Sequence, residues 1–144
     1  MPEATEKITV NLSVVDVGRI DILVEQGFYA NRTDFVKSAV RASLEGHETT
    51  LKRTLDRLAL DAGSGKRETR LATNICVGTQ TLTRADLEEW KQADERVRII
   101  CVGALFCQAD IPASLVEETV EWVRIYGILK ASPEVKKALS RKAK

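Results

Sequence analysis

The sequence predicts an α+β chain in two unlike parts. One strand and two helices come first, and short strands alternating with helices follow a central loop. Three observations lead there. Residues Glu6–Ser13 alternate polar with apolar, the period of a half-buried strand. Two apolar stripes at helical spacing follow, each closed by a glycine. Finally, residues 99–115 align with residues 123–139 as apolar run, glycine, loop and short helix, an offset of 24.

In the strand, Ile8, Val10 and Leu12 share one face and Lys7, Thr9 and Asn11 the other. No second strand lies nearby in sequence, and a lone strand leaves its backbone donors and acceptors unsatisfied. Strand, helix and helix in about forty residues also bury too little to stand alone. The simplest partner is the same strand of a second copy, paired antiparallel, with Ile8, Val10 and Leu12 as the dimer core over four helices. The other face then presents Lys7, Thr9 and Asn11 twice. A two-stranded ribbon fits the DNA major groove, where Asn suits adenine, Lys suits guanine and Thr serves either.

The first helix carries Val17, Ile20, Leu23 and Val24, with Ser13 or Asp16 to cap it and Gly27 to end it. The second opens on Asn31 as N-cap, with Thr33 also read as capping and Asp34 at the third helical position. Its stripe is Phe35, Val36, Ala39, Val40 and Leu44, and Gly46 is the expected stop.

"KITVNLS" followed by "GRIDILVEQGFYANRTDFVKSAVRASLE" resembles the ribbon-helix-helix regulators of the Arc, MetJ and CopG type, over residues 6–46. The resemblance implies a homodimer whose strands enter the major groove and whose second helix starts at a backbone phosphate. Lys7, Thr9 and Asn11 would be the base readers. Asn31, Arg32 and Thr33 would lie at the phosphate, where free N–H groups and the helix dipole favour an anion. "GILKASPEVKKAL" near the end is similar to a region of CopG-like regulators, which implies little about what that region does.

Residues 1–47 are thus read as the DNA-binding domain, and 48–72 as a helix on Leu51, Leu55 and Leu58 followed by a flexible basic linker, "GSGKRETR". "GSGK" lacks the remaining residues of a phosphate-binding P-loop. Residues 73–144 form the repeat. Gly103 matches Gly127, Leu105 matches Leu129, Asp110 matches Glu134, Ile111 matches Val135 and Leu115 matches Leu139; Gly78 and Leu87 mark a worn earlier copy. Each unit is expected as a strand ending at its glycine, then a helix capped by Thr83, Asp110 or Ser132, with Pro112 and Pro133 near first helical positions. Such repeats resemble a small solenoid, with a compact α/β sensor domain as the competing reading. A short solenoid wants its ends covered, so residues 73–139 are expected to associate with further copies.

Charge and composition narrow the function. The formal net charge is +1, and residues 1–48 hold five Lys or Arg against eight Asp or Glu, not the footprint of a non-specific nucleic-acid binder. Lys52, Arg53 and Arg57, or neighbouring dimers, would have to make up the phosphate contact. His47 is the single histidine, and Cys76, Cys101 and Cys107 form no C-x-x-C pair. Buried reduced thiols are expected, with no metal and no cofactor. No nucleophile–base pair supports an enzyme. No apolar run is long enough for a membrane, so a cytoplasmic protein is expected. The leading reading is a sequence-specific homodimer on double-stranded DNA, a transcriptional regulator expected to repress its own operon. An antitoxin and a self-assembling scaffold or filament are the alternatives.

Overall fold

The computed structural model describes residues 4–61 and 70–143. The chain divides into two units, Lys7–Arg57 and a second that runs from Leu58 onward. In the first, residues 7–13, expected as a strand, make neither helix nor ladder within the single chain. Helix α1 (Val14–Glu25) opens on Ser13, whose hydroxyl oxygen accepts the Asp16 N–H at 3.1 Å. It closes on Gly27 at φ +80, with Gly27 N–H donating to Val24 and Phe28 N–H to Leu23. This paired closure needs a left-handed residue, which glycine adopts without cost.

Helix α2 (Arg32–Gly46) starts at Asn31, whose side chain accepts the Asp34 N–H at 2.9 Å. Asp34 returns the bond one residue further back than a standard capping box, to the Ala30 N–H at 3.1 Å. Tyr29, just before the cap, meets Phe35 edge to face at 5.0 Å and fixes the entry of the chain. Thr33 lies inside the helix as its second residue and does not cap it, which corrects the expectation above. Gly46 does not stop α2 in a left-handed turn either. The helix includes it, breaks at His47, and α3 (Glu48–Asp61) begins at once.

The expected linker, 63–70, lies outside the described residues except for Arg70, which begins β1. The second unit runs β1 (Arg70–Leu82), α4 (Arg84–Gln92), β2 (Glu95–Cys107), α5 (Ala113–Thr119), β3 (Val120–Lys130) and α6 (Pro133–Lys142). The strands form one parallel sheet in the order β1-β2-β3. Gly78, Gly103 and Gly127 stand side by side across it.

The strands do not end at these glycines. They run on to Leu82, Cys107 and Lys130, each passing its glycine at positive φ, +120, +134 and +135. A Cβ on Gly103 would strike the Gly78 carbonyl oxygen, and one on Gly127 the Gly103 carbonyl oxygen. The row is therefore a place of close backbone approach, with the glycines in register.

Helix starts follow local chemistry. Thr83 and Asp86 form a reciprocal capping box on α4, and Ser132 caps α6 with Pro133 in its first turn. Asp110 does not cap α5. Pro112 takes the N-cap with no side-chain bond, because the residue before a proline is held out of the helical region.

The helices cover one face of the sheet. Leu87, Leu115, Val116, Val135 and Leu139 pack on Leu82, Val97, Ile99, Cys101, Leu105 and Val123 in one core. Cys101 is fully buried, and burial, with the neighbouring Cys76 thiol, pushes its pKa up to about 11. Cys76 and Cys107 are only half-buried, unlike the expectation, because one lies on an edge strand and the other at a strand end. On the other face, Ile100 is buried between its ladder neighbours Ile75 and Arg124, while Val77 and Tyr126 are exposed.

Candidate nucleic-acid interface

Within the first unit, Lys7, Thr9 and Asn11 are exposed and make no hydrogen bond or ion pair among the described residues. Ile8, Val10 and Leu12 alternate with them and are 75%, 61% and 46% exposed in the single chain. Val14, Ile22, Val40 and Leu44 of the helices are open as well, and Ile20 is the one buried residue of α1 and α2. So much open apolar surface on so small a unit is the mark of an association surface.

The start of α2 brings Asn31, Arg32 and Thr33 together, but with different freedom. The Asn31 side chain is spent on its cap. The Arg32 guanidinium makes two bonds to the Asp21 carboxylate of α1, at 2.6 and 2.7 Å. That hydrogen bond, ahead of the charge attraction, lowers the Asp21 pKa and raises that of Arg32. The pair ties the two helices, and Arg32 reaches an anion only by sharing or leaving Asp21.

A shallow depression at the helix start is lined by Ala30, Asn31, Thr33, Asp34 and Lys37. Lys37 is the residue that sequence reasoning passed over. Its ammonium forms no ion pair among the described residues, and it lines the depression one turn beyond Thr33. The signal was present in the motif "NRTDFVK", where the lysine sits four residues after Thr33, on the same helix face. Asp34, in contrast, sets a carboxylate against any anion placed there.

A second basic strip lies on α3, where Thr50, Arg53, Thr54 and Arg57 follow one helix face and line a shallow groove. Neither arginine is in an ion pair among the described residues. Thus the unit offers hydrogen-bonding side chains on the segment before α1, a helix start with one unspent lysine, and two unspent arginines. These suit a polyanion with readable edges better than a small substrate. Among the described residues no group of His, Cys, Asp or Glu is placed to hold a metal, and no helix is long and apolar enough to cross a membrane.

The sequence model of the ribbon-helix-helix transcriptional regulator family matches residues 3–136, across both units. No curated protein and no solved structure matches the chain.

Proposed function

The chain belongs to the ribbon-helix-helix transcriptional regulator family, and from that premise we propose that it is a sequence-specific DNA-binding homodimer that represses transcription by occupying its operator. The carrying observation is the alternation of open residues from Lys7 to Leu12. Two copies paired antiparallel cover Ile8, Val10 and Leu12, and direct Lys7, Thr9 and Asn11 of each into the major groove. The start of α2 meets the backbone phosphate through the free N–H groups of Arg32 and Thr33, with Lys37 as its cation. Arg53 and Arg57 add phosphate contact that offsets the acidic excess of residues 1–48. An operator upstream of its own gene would make it an autoregulator.

The test is a titration of the protein into labelled duplex from its own upstream region, with scrambled duplex as competitor. Asn11→Ala is expected to lose about tenfold or more in specific affinity while remaining dimeric, the scale of one bidentate base contact. Lys37→Ala weakens specific and scrambled DNA alike, because a phosphate contact carries no sequence information. Equal affinity for both duplexes in the unmodified protein would refute the reading.

A further inference from the structure

The two outer edges of the sheet, β1 and β3, are unlike. Along β3, Ala143 bridges Val123, and Glu121, Arg124 and Lys130 set charges on the strand. Along β1, no charged residue and no proline occurs from Leu71 to Leu82, and among the described residues nothing pairs with its outer side. Soluble proteins protect a long edge strand with charge, proline or a cover, since it is a template for another strand. This one has none of the first two. Ile75 and Val77 beside the edge are 44% and 72% exposed.

We propose that β1 is an interface between two copies of this chain: the two β1 edges pair antiparallel about a two-fold axis and join two three-stranded sheets into one of six strands. The occupant follows from charge and symmetry. Pairing β1 with itself opposes no like charges between Leu71 and Leu82, whereas pairing β3 with itself brings Glu121, Arg124 and Lys130 of both copies to one seam. A two-fold contact also closes, where head-to-tail stacking grows without limit. Stacking β3 on β1 would continue the glycine row, but Ala143 already sits beside Val123 where the incoming strand must lie.

Gly78, at φ +120, lies outside the ordinary strand conformation, so the pairing is placed on Leu71–Val77 with the axis close to Thr73 or Ile75, where a residue stands opposite its own copy. This proposal rests on the homodimer reading above, whose own two-fold supplies the second copy at high local concentration.

The experiment uses the full chain with Cys76→Ser, Cys101→Ala and Cys107→Ala, and places Thr73→Cys, Ile75→Cys, Thr79→Cys or Thr81→Cys singly in it. After mild oxidation, covalent dimer on a non-reducing gel is expected to peak at Thr73→Cys or Ile75→Cys, several-fold above Thr79→Cys and Thr81→Cys. Equal yields throughout, a peak at Thr81→Cys, or no covalent dimer at any position overturns the interface. Amide hydrogen exchange on the unmodified protein guards against a misfolded background. A strand paired on both sides protects every successive amide from Leu71 to Val77, and an open edge protects only alternate ones. Alternation would therefore also overturn it. Loss of specific DNA binding with the cysteine pattern intact sinks the regulator reading alone, and the reverse result sinks the β1 interface alone.

Discussion

At the scale of single residues, the glycine row separates two costs that are usually confounded. Gly78 and Gly103 have nearly the same backbone conformation, at φ +120 and +134, which L side chains rarely adopt. A Cβ on Gly78 meets open space, whereas one on Gly103 drives into the backbone of Gly78. Gly78→Ala should therefore cost only conformational strain, about 1–3 kcal/mol. Gly103→Ala adds a collision that no rotamer can relieve, so it should open the sheet and abolish a cooperative transition. Thermal unfolding of the two variants by circular dichroism checks the order, and equal losses would contradict it.

The elements show how far local chemistry reaches. Ser13, Asn31, Thr83 and Ser132 each cap a helix where a sequence reading places a cap, because the bond spans only a few residues of chain. Asp110 does not cap for an equally local reason, the proline two residues on. Two variants test the distinction. Thr83→Ala removes a bonded cap and should cost about 1 kcal/mol in urea denaturation. Asp110→Ala removes none and should change stability by less than about 0.5 kcal/mol. The exposed ion pairs Lys91–Glu118 and Arg141–Glu117 add little beside the leucine and valine core that holds the helices on the sheet.

For the whole molecule, the two units face opposite problems. Residues from β1 onward close a core of their own, with Ile99, Leu105 and Val135 fully buried. The unit Lys7–Arg57 leaves Ile8, Val10 and Leu12 open, and the proposed homodimer would bury them. Its unfolding midpoint should therefore rise with protein concentration, as mass action requires of a unit stabilised by association. Calorimetry over a hundredfold range of concentration checks this, and a midpoint that stays constant would contradict it. The alternation from Lys7 to Leu12, the helix caps and the recurring glycines were all legible in the chain, since each depends on neighbours within a turn or on a simple period. The fate of Arg32, held by Asp21 across a helix pair, was not legible. Nor was the passage of each strand beyond its glycine. Those features depend on which distant backbones and side chains meet, and contacts between residues far apart in the chain leave no periodic trace along it.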